Sequence, residues 1–435
     1  MAESSYDAIV IGAGVIGAAV ALSMARRGHR VLALDRLPAV GYGSTSGSCA
    51  IVRPFYSTYE GVAMGWECHF YWDGWASYLN APDPATLTRY IASGNTVIRC
   101  SKNNYLNNIL KIMDEVGCPY ELVSADALRA RLPTVSLDSY LPARRPEDPD
   151  FGATNGEALS GAVFFPTGGY VTDPQRAARD LLEAAGRAGA EFRFNADVAE
   201  ILRAGERCAG VRLATGETLR APVVVNVAGP HSHKVNVMAG VEEGMKIKTR
   251  ALRHEVAHVP APRGLEQSKG GTHFSDADTA TYCRPESGDH ILIGSEDPDC
   301  DPREWVDPDD FDRNPTEQSR IQVMRLAQRF PDISIPQRVR TVVDLYDVSD
   351  DWLPIYDRSD LDGFYMAVGT SGNQFKTAPL VGEMMAHLID ACETGHDHDA
   401  EPVDFHLRHI DRVVNMGFCS RRREINPDSS FSVVG

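Results

Sequence analysis

Three glycines and a carboxylate near the start of the chain have the types and spacing needed to hold a dinucleotide. In "AIVIGAGVIGAAVALSMARRGHRVLALDR" they are Gly12, Gly14 and Gly17, followed by Asp35. The first glycine makes a tight turn, the second lets the backbone approach a pyrophosphate, and the third lets a helix pack closely on a strand. Val15 and Ile16 open that helix, whose first N–H groups and positive dipole end then face the phosphates. Asp35, with Arg36 beside it, stands where a ribose hydroxyl is accepted.

These groups need a strand, a helix and a second strand to position them. Residues 8–12, "AIVIG", are β-branched and continuously apolar, as expected of a strand buried on both faces of a parallel sheet. "VIGAAVALSMARRG" reads as the helix, and "HRVLALD" as the second strand. With 435 residues the chain is too long for one simple core, so two joined domains are expected. A net charge of −17 argues against nucleic acid as a partner, because phosphate contacts need basic surface. On such a chain a small anionic substrate requires a local cationic pocket. The nine cysteines are scattered singly with no CxxC pair, which suits reduced thiols and a cytoplasmic location. "MAESSYD" is polar and runs straight into a strand, so no signal peptide is expected. No run of about 18 apolar residues predicts a membrane span.

The cofactor that fits is long. After Pro38 the chain enters "AVGYGSTSGSCAIVRPFYS", glycine- and serine-rich, where backbone can run close to a flat ring system. Much later "APVVVNVAGPHS" (221–232) is an apolar strand ending in Ala228 and Gly229. Later still "GFYMAVGTSGNQFKTAPLVGEMMAHLIDA" (363–391) supplies strand, glycine turn and helix. Contacts from both ends of the chain favour FAD over NAD.

Taken in order, these segments resemble the FAD-dependent D-amino-acid oxidase and sarcosine oxidase superfamily, over most of the chain. "GAVFFPTGGYVTDPQRAARDLLEAAGRAGAEFRFNADVAEI" (161–201) is similar to its central segment, and "VVVNVAG" to its "VVxAAG" strand. "YCRPESGDHILIGSED" is similar to its substrate-domain hairpin. "DLYDVSDDWLPIYDR" and "MAVGTSGNQFKTAPLVGEMMA" are similar to its C-terminal flavin segment. The resemblance implies cofactor contacts from Gly43, Ser44, Gly47 and Ser48, from Val198 on the adenine side, and from Gly372, Asn373, Gln374, Phe375 and Lys376. In the sarcosine oxidase branch, an arginine after "GSxxG" and the lysine of "GxxGxxFK" hold the substrate carboxylate. The matching residues are Arg53 and Lys376, with Tyr56 and Tyr346 as further substrate contacts. A guanidinium gripping a carboxylate through two parallel hydrogen bonds, backed by an ammonium, is physically apt.

The departures from the pattern matter as much. The cysteine that attaches flavin in the monomeric sarcosine oxidases is matched by Asp344, and the attaching histidine of related dehydrogenases by Ser46 and Ser48, so non-covalent FAD is expected. Cys49, near the expected flavin path, is a second candidate attachment point, with a small packed residue as the favoured reading. The lysine thought to assist oxygen is matched by Leu292, which leaves an acceptor other than O2 open. The resemblance implies oxidation of a small carboxylated secondary or tertiary amine, such as sarcosine, dimethylglycine or iminodiacetate, by hydride transfer to flavin N5, imine hydrolysis and reoxidation by O2. A flavin dehydrogenase acting on an amine or hydroxy acid, or a non-catalytic flavin subunit, stands as the alternative. A doubly acidic substrate would need a second cation, from Arg250, Arg253 or Arg284. Tyr170 and Tyr282 join Tyr56 and Tyr346 as candidate pocket walls. A homo-oligomer is compatible with all of this.

The expected fold is α/β: a Rossmann-like FAD-binding domain of the glutathione-reductase type, with a second α+β substrate domain on an antiparallel sheet. The FAD domain is discontinuous over 1–58, 155–245 and 340–395; the substrate domain takes 59–154 and 246–339, and 396–435 forms a tail. A helix is expected over 315–331, a turn at Ser287 and Gly288, and an aromatic helix over 64–79. Asp173 is expected to cap the helix opened by Pro174. "HDHD" (396–399) and "SRRRE" (420–424) read as solvated segments.

Overall fold

A computed structural model describes residues 6–427 and 429–433. The first apolar run forms the strand Ala8–Ile11, buried at all four positions. It sits inside a six-stranded sheet ordered Ile355–Arg358, Phe364–Val368, Val223–Asn226, Ala8–Ile11, Val31–Leu34 and Glu191–Arg193. The last five strands run parallel; Ile355–Arg358 pairs antiparallel at one edge. Ala8 faces Val223 on one side and Val31 on the other, so the carboxyl ends of three strands reach one edge together. In an open parallel sheet that edge is where ligands bind.

The helix Val15–Arg26 is buried at every residue from Val15 to Ala25. It lacks an amphipathic stripe because helices Pro174–Arg187 and Ala378–Glu393 pack against it as well as the sheet. A Cβ on Gly382 would lie 2.5 Å from the Ala19 carbonyl oxygen, so close helix contact demands glycine there. Asp173 caps its helix by accepting from Arg176 N at 2.8 Å, with Pro174 in the first turn.

A second sheet has eight strands: Arg340–Ser349, Thr249–Pro260, His290–Ser295, Thr281–Glu286, His273–Asp276, Asn95–Ile98, Gly161–Phe165 and Glu121–Ser124. All pairings are antiparallel except that of Asn95–Ile98 with His273–Asp276. Gly161–Phe165 and Arg340–Ser349 run here, although the domain limits drawn from the sequence put them with the nucleotide-binding half. Arg340–Ser349 pairs with Thr249–Pro260 residue for residue from Thr341↔Ala257 to Ser349↔Thr249, and that ladder fixes its place. Helix Gln318–Arg329 packs on this sheet and starts later than the pattern over 315–331 suggests. The aromatic stretch forms Tyr59–Asp73 and Trp75–Leu79, broken at Gly74.

The arginine-rich tail is solvated only in part, at Arg422 and Glu424. Arg421 is 1% exposed and pairs with Asp357, Asp360 and Asp399 at 3.1, 2.5 and 2.8 Å. Arg423 pairs with buried Asp351 at 2.6 Å. His398 of "HDHD" is also buried, its Nδ1 accepting from Val403 N at 3.0 Å. These carboxylates repay the burial of each arginine, and together they clamp the tail to the edge strand Ile355–Arg358.

Candidate active site

The glycine turn at the sheet edge opens into a cavity of about 560 Å³, a size typical of small-molecule sites. Gly12 has φ +108°, and a Cβ there would meet the Val227 carbonyl oxygen at 2.3 Å. A Cβ on Gly17 would meet the Gly12 carbonyl oxygen at 1.9 Å. Both positions therefore exclude any side chain. The helix they lead into starts without a side-chain cap and without an acid in its first turn. Its first N–H groups and positive dipole end face the cavity beside Gly14, Val15 and Ile16, a cradle suited to a pyrophosphate. Thr45 supports the turn by accepting from Val15 N at 3.1 Å.

At the next strand end, Asp35 is held rigidly. Its Oδ2 accepts from Ala13 N at 2.7 Å and its Oδ1 from Leu37 N at 2.8 Å. Burial raises its pKa, with the two backbone N–H bonds acting in opposition. Arg36, His231 and Lys234 hold a loop across this end through Asp307 and Asp309: Arg36–Asp309 at 2.7 Å, His231–Asp309 at 3.0 Å and Lys234–Asp307 at 2.5 Å.

The other end of the cavity is cationic. Arg53, 7% exposed, donates to the carbonyls of Phe55 and Val433, the latter at 2.6 Å. Lys376, 2% exposed, donates to the Asn373 carbonyl. The Arg53 guanidinium carbon lies 4.2 Å from the centre of the Tyr56 ring, and the Lys376 ammonium 4.8 Å from it. One aromatic ring thus carries both cations. Burial first, then the charge of Arg53, lowers the Lys376 pKa well below the usual lysine range. His273 is pushed down to about 3 by burial and then by these two cations, so its imidazole is neutral. Its Nδ1 has no hydrogen-bond partner. Glu296 lines the same end, bonded by Ser275 Oγ at 2.5 Å, and burial raises its pKa to about 7.

The cavity gathers Gly12, Gly14, Val15, Ile16, Gly17, Asp35, Arg36, Gly43, Ser44, Gly47, Ser48, Arg53, Val198, Ala228, Gly229, Tyr346 and the run Gly372–Lys376. Tyr56 stands behind it: its hydroxyl donates to the Asn373 carbonyl at 3.0 Å and its ring supports the cations. Tyr282 lines it, with its hydroxyl 3.3 Å from that of Tyr346. Tyr170 does not, being bonded to Gln267 at 3.1 Å. None of the three arginines suggested as a second substrate cation reaches the cavity. Arg250 lies over Trp305, Arg253 pairs with Glu255 and Glu304, and Arg284 pairs with Glu286. Asp344 packs where a Cβ on Gly47 would touch its carboxylate at 2.4 Å. Cys49 lines the cavity, and burial raises its pKa. Leu292 instead packs in a cluster with Cys49, Val256 and Tyr282.

Sequence reasoning missed Thr45, His273, Ser275 and Glu296. His273 and Ser275 alternate along one strand, so the signal was a single i, i+2 pair. Glu296 follows the hairpin strand His290–Ser295, and nothing local marks it.

A family model described as FAD dependent oxidoreductase matches residues 7–388. Glycine oxidase of Geobacillus kaustophilus is 25% identical over 417 residues, 94% of this chain and 98% of that protein. Among solved structures, L-proline dehydrogenase from P. horikoshii superposes with a TM-score of 0.75 at 19% identity, covering 96% of this chain and 97% of the other. Iminodiacetate oxidase from Chelativorans sp. BNC1 superposes at 0.67 and 17% identity, covering 93% and 98%.

Proposed function

This chain belongs to the FAD-dependent oxidoreductase family, and from that membership we propose that it oxidises a small carboxylated secondary or tertiary amine of the N-substituted glycine class. The observation that carries this reading is that two buried cations, Arg53 and Lys376, line the same cavity as Asp35 and rest together on the Tyr56 ring. When bound, FAD supplies a two-electron acceptor for the substrate's C–H bond. The chain's own residues do the positioning. Arg53 and Lys376 grip the carboxylate, while Tyr282 and Tyr346 wall the space beside it. The buried setting excludes water from the reacting centre. The two cations also disfavour a protonated amine beside them. Gly12, Gly14, Gly17 and Asp35 hold the nucleotide half, and Gly43–Ser48 with Gly372–Phe375 the flavin half. Asp344 offers no thiol, and the Cys49 thiol is held in its protonated form, which supports non-covalent attachment.

The position of Leu292 favours a second reading for the electron acceptor. It brings no ammonium to the cavity, so reoxidation by a partner other than O2 is the alternative. One cuvette tests both. The visible spectrum is recorded before and after acid precipitation, then N-substituted glycines are added without air, and air follows. Flavin released by acid, bleached by an amine and restored by air supports an oxidase. Bleaching without recovery supports a dehydrogenase. Flavin that no amine reduces overturns the amine reading.

A further inference from the structure

Arg53 and Lys376 account for a carboxylate but leave the amine without a partner. An N-substituted glycine in neutral water is a zwitterion, and its ammonium would meet two like charges in a buried site. Five carboxylates line the cavity: Asp35, Asp197, Glu296, Asp309 and Asp344. Each oxygen of Asp35 already accepts a backbone N–H, from Ala13 and Leu37. Asp309 is paired with Arg36 and Lys234. Asp344 accepts from Leu345 N at 2.8 Å and packs on Gly47. Asp197 is exposed and follows Ala196, whose N–H donates to the Asp35 carbonyl at 2.8 Å.

Glu296 differs from all of these. Its backbone N–H donates to the Ala280 carbonyl at 3.0 Å, which fixes its place beyond the hairpin strand. Ser275 accounts for one carboxylate oxygen, and Ser275 is itself a buried cavity-lining residue. Among the described residues no cation forms an ion pair with Glu296; Lys102 and Arg53 act on it only at longer range. The remaining groups around it are Asp276, beside Ser275, and Tyr105 at the start of helix Leu106–Val116.

We propose that Glu296 is the docking partner and proton acceptor of the substrate amine, so that the cavity reads both ends of a zwitterion. This deepens, and rests on, the carboxylated-amine reading. The ammonium donates to Glu296; one N–H bond breaks, one O–H bond forms on the carboxylate, and the electron pair stays on nitrogen. The amine is then neutral, as removal of a hydride from its α-carbon requires. A carboxyl titrating near 7 is matched to that exchange at neutral pH. The neutral imidazole of His273, with its unpartnered Nδ1, adds no opposing charge.

The test is ligand binding to the holoenzyme, followed by the visible flavin band and by equilibrium dialysis. Two unreactive probes share shape and carboxylate: trimethylglycine, which carries a permanent cation, and 3,3-dimethylbutyrate, its uncharged carbon isostere. Wild type is expected to prefer trimethylglycine. Below about pH 7, where Glu296 is protonated, that preference falls roughly tenfold per pH unit. Glu296→Gln lowers trimethylglycine affinity on the order of 30-fold or more and leaves the isostere unchanged. Glu296→Asp keeps the charge and the preference, and flavin content and melting temperature are checked on each variant. Equal binding of the two probes to wild type would overturn the role of Glu296 but not the carboxylate site. So would an equal effect of Glu296→Gln on both probes, or loss of the preference in Glu296→Asp. Failure of both probes to bind wild type overturns the carboxylated-amine reading itself.

Discussion

Replacing Lys376 by methionine separates function from stability, because the two should move in opposite directions. Methionine keeps an unbranched stem of similar length and removes only the charge. The Asn373 carbonyl loses the ammonium but still receives the Tyr56 hydroxyl at 3.0 Å, so no buried acceptor is orphaned. A charge-assisted hydrogen bond to a carboxylate contributes about 1.5–3 kcal/mol, which corresponds to a loss of about 10- to 150-fold in affinity. The apparent KM for an N-substituted glycine should rise by that factor. A matched amine without the carboxylate should be oxidised as by wild type.

Stability should not fall. The Lys376 pKa is lowered in the folded chain relative to 10.5, chiefly by burial and then by Arg53. The unfolded chain therefore binds this proton more tightly, and the lysine costs stability. That cost is fully present below the folded pKa and fades as pH rises toward the unfolded value. Lys376→Met should melt at or above the wild-type temperature near neutral pH and lose the advantage in alkali. Anaerobic flavin bleaching titrated with each amine, beside thermal melts across pH, measures both effects. An unchanged KM for the carboxylated amine refutes the assignment of Lys376. A raised KM with a lower melting temperature would instead mean that the site had been distorted.

Three other substitutions test the frame. Gly12→Ala places a Cβ 2.3 Å from the Val227 carbonyl oxygen at φ +108°, and FAD affinity should drop roughly tenfold or more, read as the ratio of flavin to protein absorbance after gel filtration. Asp347 is pushed up to about 7 by burial, against 3.8 unfolded, so the folded chain holds its proton more tightly. The resulting stability is full below about pH 4 and lost as pH rises through about 7, and Asp347→Asn should flatten the denaturation free energy across that window. Arg421→Met takes the guanidinium from buried Asp357, while Asp399 keeps Arg422 at 3.3 Å, and should cost about 3–5 kcal/mol in urea unfolding, whereas a truly solvated tail would give a change near zero.

The glycine turn and Asp35 of the cavity were legible because they are contiguous. Glycines, helix and Asp35 lie within one βαβ unit, and each has a local physical reason for its place. Arg53 and Lys376 are 323 residues apart in number, and no periodicity joins them; only their flanking motifs, matched to a known family, put them together. The structure supplies the link the sequence lacks, the Tyr56 ring on which both cations rest. His273, Ser275 and Glu296 were invisible for a different reason. They meet through the register of neighbouring strands, with Phe274 opposite Cys283 and Thr281 opposite Ser295, and one sequence does not reveal which strands pair.

Charge patterning failed where it was read locally. "SRRRE" in isolation is a solvated run, yet each acid that buries Arg421 lies at least 22 residues away along the chain. The sheet that the strand after 340 joins was equally unreadable from local pattern. Arg340–Ser349 alternates in burial only weakly, and it joins the second sheet because its partner Thr249–Pro260 offers a long open edge. The consequence for function is direct. That strand carries Asp344 and Tyr346 from the second sheet into the cavity lining, so part of the cavity wall belongs structurally to the second sheet. Changes in that sheet's packing should therefore reach the cavity wall at Asp344 and Tyr346 without moving the glycine turn that follows the parallel strand Ala8–Ile11.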